Sequence, residues 1–171
     1  LRQDIIWHKP NPMPESVTDR CTKSHEYIFL MTKSAKYYYD HEAIKEEALT
    51  EPVMRSRETY NPGFPKGVRF SPGHRLYNED GMRNKRSVWT VATKPYKEAH
   101  FAVFPDELIK PCILAGSAKG DIVLDPFFGS GTTGLVALRS RRRFIGIELN
   151  PDYVAIAESR LRPYLKQHEL F

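Results

Sequence analysis

The sequence predicts an α/β fold, a Rossmann-like sheet flanked by helices and seen in part. Three observations lead there. Asp121 to Leu124 reads as a strand that ends in Asp125 and runs into the glycine turn Gly129-Ser-Gly-Thr-Thr-Gly134. Thr132 to Ser140 then has helix composition, and Phe144 to Glu148 reads as the next strand. Asp125 and Glu148 lie 23 residues apart, the length of one βα unit plus the following strand, so one acid falls at the tip of each strand.

The remaining elements follow in order. Asp4 to Trp7 predicts a short buried strand, stopped by Lys9-Pro-Asn-Pro-Met-Pro14, whose prolines remove backbone donors. Glu26 to Thr32 is continuously apolar and predicts a strand buried on both faces. Lys36 to Asp40 predicts a third strand, joined to it by a hairpin through Lys33-Ser-Ala, and His41 to Leu49 a short helix. From Thr50 to Arg86 proline and glycine recur without periodicity and predict loop or partial disorder, after which Ser87 to Val91 is a short strand. Asp106 to Ala115 is a helix with Leu108, Ile109, Cys112 and Ile113 on one face. Asn150-Pro-Asp opens the last helix with good capping chemistry, and Val154, Ala157, Leu161 and Leu165 form its buried face.

With 171 residues, 40% of them hydrophobic, the chain can form one cored domain. A net charge of +5 permits an anionic partner. Cys21 and Cys112 match no metal-ligand spacing and read as reduced thiols of a cytoplasmic protein. No apolar run is long enough to span a membrane. His25, His41, His74 and His100 form no ligand set, so no metal is expected. Trp7 and Trp89 are expected in the core, and Arg139, Arg141, Arg142 and Arg143 at a solvated helix end, where their charge favours the macrodipole. The chain lacks an initiator Met and starts almost at once with a strand, so it is expected to be the later part of a longer protein.

The glycine turn matches the dinucleotide pattern G-x-G-x-x-G, yet Asp125-Pro126 sets a carboxylate where a pyrophosphate would approach, and two close anions repel. Only one helix follows Glu148, whereas a dinucleotide fold needs further strands. No Gly-Lys-Ser/Thr follows the turn, which excludes a P-loop. The same carboxylate suits a cofactor carrying an ammonium and a sulfonium, as S-adenosylmethionine does. The second acid suits ribose hydroxyls.

Asp125-Pro-Phe-Phe-Gly-Ser-Gly-Thr-Thr133 closely resembles motif I of the amino-methylating DNA methyltransferases, which act on N6 of adenine or N4 of cytosine. His100-Phe-Ala-Val-Phe-Pro-Asp-Glu-Leu108 resembles their motif X, and its place before motif I is the β-group order. The likeness extends more loosely to Ile5-Ile-Trp-His-Lys9 and His25-Glu-Tyr-Ile-Phe-Leu30. It implies a single methyltransferase domain over 1–171, with a cofactor-binding half at 99–171 and a target-recognition region at 41–97. The cofactor implied is S-adenosyl-L-methionine. Its holders would be Phe101, Ala102, Phe104 and Pro105, then Asp125, Pro126, Phe127, Gly129, Ser130, Gly131, Thr132 and Thr133, with Glu148 and Asn150 beyond them. Thr132 and Thr133 are open to two roles, bonding the cofactor carboxylate or capping the helix.

The family's catalytic tetrapeptide, Asp/Asn/Ser-Pro-Pro-aromatic, accepts the amine hydrogens and stacks on a flipped base. Asn11-Pro-Met-Pro14, Asn61-Pro-Gly-Phe64 and Ser71-Pro-Gly-His74 do not match it and read as turns. The resemblance therefore implies that the tetrapeptide and two sheet strands precede this chain. No catalytic residue is expected here, two unpaired apolar strand edges are, and so are inactivity of the chain alone and pairing with the missing segment or a second copy. Between Arg55 and Lys97 basic residues and aromatics interleave, as in a surface that binds phosphates and stacks on bases. Arg69, Arg75, Arg83, Lys85 and Arg86 are the candidates there for contact with double-stranded DNA. The expected activity is site-specific DNA methylation of the restriction-modification kind. An RNA methyltransferase of similar fold, and an inactive fragment that binds cofactor or DNA, stand as alternatives.

Overall fold

The computed structural model describes residues 1–48, 81–93 and 103–168, the last three without their side chains. In chain order the elements are β1 (Gln3–His8), β2 (His25–Leu30), β3 (Glu46–Glu47), β4 (Met82–Arg83), β5 (Val88–Thr90), α1 (Asp106–Gly116), β6 (Ile122–Asp125), α2 (Thr132–Arg139), β7 (Arg143–Gly146) and α3 (Pro151–His168). They divide into two compact units, residues 45–85 and the remainder.

In the larger unit β1 is the middle of a three-stranded sheet ordered β2-β1-β5. It pairs antiparallel with β2, Gln3 opposite Leu30 and His8 opposite His25, and parallel with β5, Trp7 opposite Trp89. The period-2 pattern turns Ile5 and Trp7 inward, where they pack with Trp89 and with Leu108 of α1. Both indoles are satisfied: Trp7 Nε1 donates to the Val91 carbonyl at 2.7 Å and Trp89 Nε1 to that of Arg86 at 2.7 Å. Both tryptophans are thus core residues, as expected.

A second sheet pairs β6 and β7 in parallel, Asp125 opposite Gly146, with α2 as the crossover. Helix α1 packs on both sheets. Its Leu108 joins the tryptophan core, while Ile113 joins Val136 and Ala137 of α2. Leu135, Leu138 and Leu161 form a third cluster between α2 and α3.

Several expectations need correction. Lys36 to Asp40 forms no strand. Asp40 instead donates its N–H to the Ala115 carbonyl at 2.9 Å and accepts from the Ala43 N–H at 3.0 Å, which turns the chain. The helix expected over His41 to Leu49 shrinks to the 3₁₀ turn Glu42–Ile44, because Glu46 is drawn into β3. β2 is not buried on both faces: Tyr27 and Phe29 stack on each other in the open, 6.0 Å apart. Among the described side chains of α3 only Ala157 and Leu161 are buried, and Val154 and Leu165 are exposed.

Arg142 departs from the solvated helix end expected of it. It is buried and donates to the Ser117 carbonyl (2.6 Å), the Ser140 carbonyl (2.5 Å) and Ser117 Oγ (3.3 Å). Its cation thereby closes the C-terminal ends of α1 and α2 together, where helix dipoles favour it. Arg141 and Arg143 are exposed.

Candidate functional site

β6 and β7 end side by side, and the two acids sit just where the strands give way to turns. Ile147 N donates to the Asp125 carbonyl at 2.9 Å and Phe128 N to the Ile147 carbonyl at 2.9 Å, which carries the pairing past both strand ends. Asp125 is held by its own turn: Oδ1 accepts from Phe127 N at 2.9 Å and Oδ2 from the Thr133 hydroxyl at 2.6 Å. Glu148 reaches back over the same turn. Its Oε2 accepts from Gly129 N at 2.8 Å and its Oε1 from Leu149 N and Asn150 N, each at 2.9 Å. The N–H groups of Asn150 and Gly129, with that of Leu149, hold the Glu148 carboxyl below its ordinary range, against a smaller opposing effect of burial. It is therefore an anion, an acceptor fixed in place before any ligand arrives.

The turn itself needs its glycines. Gly131 takes φ 81°, and a methyl group there would stand 3.0 Å from Cβ of Ala157 on α3. Gly146 lies beneath the ring of Phe128, where an added methyl would be 2.4 Å from Cγ. Phe128 stacks in turn on Phe144, ring centres 5.3 Å apart. The turn is thus floored by Phe128 and walled by α3.

Asp125, Thr133, Gly129 and Glu148 are brought together by direct hydrogen bonds. Ser130, Gly131 and Thr132 are buried within the turn, and Thr132 Oγ1 accepts from Arg160 at 3.0 Å. Pro126 and Phe127 stand out from it, Phe127 at 87% exposure, and Leu149, next to Glu148 in the chain, is 96% exposed. Two bare apolar side chains thus flank two fixed carboxylates. Asn150 caps α3, its Oδ1 accepting from Asp152 N at 2.9 Å. Pro105 is buried at the start of α1 and Phe104 half-buried. Phe104 lines a groove of about 430 Å³ between α1 and β6, and Asp125 and Thr133 line the same groove. Phe101, Ala102, Arg69 and Arg75 lie outside the described residues.

Of the other candidates, Arg83 and Lys85 belong to the smaller unit and both face Glu46, at 3.0 and 3.8 Å. Arg86 belongs to the larger unit and is exposed. Sequence reasoning missed Phe128, Arg142 and Arg160. Arg160 carried a usable signal, since it sits three residues after Ala157 and next to Leu161, a charge on the inward stripe of α3.

Paired parallel strands, a glycine turn onto a buried helix and an acid at each strand tip define a Rossmann-like methyltransferase site. The family model described as DNA methylase, for N6 and N4 enzymes, matches residues 1–159, and the chain belongs to that family. It is 51% identical over 162 residues to the Type II methyltransferase M.Cfr9I of Citrobacter freundii, covering 95% of this chain and 44% of the relative. The crystal structure of an M1.HpyAVI–SAM complex matches with a TM-score of 0.55 and 26% identity, over 94% of this chain and 61% of that one. PvuII DNA methyltransferase, described as cytosine-N4-specific, shares the fold with a TM-score of 0.64 at 20% identity, over 92% and 50%. The chain spans less than half the length of the curated relatives it matches.

Proposed function

We propose that this chain is the cofactor-holding part of a site-specific DNA methyltransferase that moves a methyl group from S-adenosylmethionine to N6 of adenine or N4 of cytosine in double-stranded DNA. The observation that carries the reading is the pair of anchored carboxylates around one glycine turn, Asp125 fixed by Thr133 and Glu148 by Gly129. Such a pair repels a diphosphate and accepts hydrogen bonds from an ammonium and from ribose hydroxyls. The exposed rings and chains of Phe127 and Leu149 suit the apolar parts of the same molecule.

When bound, the cofactor supplies an activated methyl group. Asp125 takes the cationic end, Glu148 orients the nucleoside, and Phe104 with Pro105 bounds the pocket from the α1 side. In the smaller unit and the stretch that follows it, Arg69, Arg75, Arg83, Lys85 and Arg86 serve as phosphate contacts within a target-recognition region over 41–97. The enzyme works in the cytoplasm on bacterial DNA, as the kind of relative it resembles suggests.

The sheet edges support a further part of the reading, that the chain by itself transfers no methyl groups. Among the described residues β6 pairs only with β7, and β2 only with β1. Ile122, Leu124, Ile145 and Ile147 are each half exposed or more, an apolar surface that a folded sheet does not leave bare. A segment carrying apolar strands and the amine-activating tetrapeptide would complete the edge of β6 that pairs with no described strand. The test is labelled methyl transfer to duplex DNA by the chain alone, and by the chain co-expressed with the part of M.Cfr9I that it does not match. Activity only in the second arm is expected, with mass spectrometry of digested DNA naming the methylated base. Transfer by the chain alone would overturn the inactivity; binding of NAD in preference to S-adenosylmethionine would overturn the cofactor.

A further inference from the structure

Arg160 projects from α3 into the space between the glycine turn and the start of α1. Its Nη1 is shared among Thr132 Oγ1 at 3.0 Å, the Ser130 carbonyl at 3.3 Å and Ser130 Oγ at 3.4 Å, while Nη2 meets Asp106 Oδ1 at 3.3 Å. The side chain is 17% exposed, so this pairing is screened less than an ordinary surface ion pair. The other oxygen of Asp106 takes Arg139 of α2, at 3.2 Å and 52% exposure. Ala157, Arg160 and Leu161 share one stripe of α3, and Gly131 lies against Ala157 and Leu161 with no room for a side chain. One planar fork therefore spans two chain segments that are distant in sequence.

We propose that Arg160 is a positioning residue for cofactor binding. It holds Ser130 and Thr132 at a fixed distance from Asp106, and through Asp106 from the Phe104–Pro105 edge of the pocket. It touches no ligand itself. The inference rests on the S-adenosylmethionine reading above and adds to it the device that keeps the two walls of the amino-acid end in register. The nucleoside end, at Glu148, has anchors of its own in Leu149 and Asn150, besides Gly129 of the turn. Loss of the fork should thus be felt at one end of the cofactor and not at the other.

That asymmetry gives the test. Calorimetry of the chain co-expressed with the part of M.Cfr9I that it does not match compares S-adenosylmethionine with methylthioadenosine, which has the same nucleoside and no amino-acid part. Arg160→Met is expected to weaken S-adenosylmethionine about tenfold or more and methylthioadenosine less than about twofold, the scale of one lost orienting contact. Arg160→Lys, the variant to use if the methionine form does not fold, keeps the charge but cannot bridge Thr132 and Asp106 together, and is expected to show the same asymmetry. Asp106→Asn should weaken S-adenosylmethionine less, and its effect should not add to that of Arg160→Met. Equal weakening of both ligands would make Arg160 a general structural residue and overturn the proposal, as would a lysine variant that binds like the wild type. A wild-type complex, co-expressed in this way and running as a single species, that binds neither ligand removes the cofactor reading, and this inference with it.

Discussion

Phe128 lies flat over Gly146 and beside Gly134, so a single side chain decides how closely the strand tip and the turn approach. Gly146→Ala drives a methyl group into the base of that ring, and the ring cannot move because Phe144 backs it. Thermal or urea unfolding of Gly146→Ala should show a loss of about 1–3 kcal/mol, the usual cost of overpacking, and Phe128→Leu in the same chain should return part of it. Glu148 offers a second residue-scale prediction. Its carboxyl is held below the ordinary value by three N–H donors, so its contribution is complete above the unfolded value near 4.5 and is lost as pH falls through the lower folded value. Unfolding measured from neutral to acid pH should therefore show a loss of stability that Glu148→Gln lacks.

At the scale of elements, Arg142 fastens two helices by their carbonyl ends. Its three donations go to the Ser117 carbonyl and hydroxyl and the Ser140 carbonyl, and Arg142 and Ser117 are buried. Arg142→Met keeps most of the volume and removes the donors, leaving the Ser117 and Ser140 carbonyls short of partners at a cost of about 1–3 kcal/mol. Denaturant unfolding of that variant checks it, with Arg141→Met and Arg143→Met as exposed controls expected to lose much less. Helix α1 joins two cores of the larger unit. Leu108 and Ile113, five residues apart on one helix, enter two different cores.

Across the larger unit, the two sheets have three and two strands among the described residues. A two-stranded parallel pair is marginal without neighbours, and this one keeps Ile122, Leu124, Ile145 and Ile147 half exposed. The chain alone is expected to self-associate, seen by light scattering, and co-expression with the complementing strands should return it to a single species. Replacing Leu124 by Lys should reduce the self-association and at the same time block the complementation, because one surface serves both.

Much of this was legible in residue order. The glycine turn, the two acids at one βα spacing and the capped last helix rest on local chemistry: positive φ, strand period and helix capping act within a few residues. That is why β6, α2, β7 and α3 fall where the pattern puts them, and why the family is readable from Asp125 to Thr133. What only the tertiary structure decided are contacts between distant segments. Arg142 at Ser117, Arg160 at Asp106 and Phe128 over Gly146 depend on how helices and strands meet, and Tyr27 and Phe29 stand exposed because nothing in the described residues covers β2. Local spacing selects the elements; the side chains that close the site are selected by which surfaces come within a few ångströms once those elements pack.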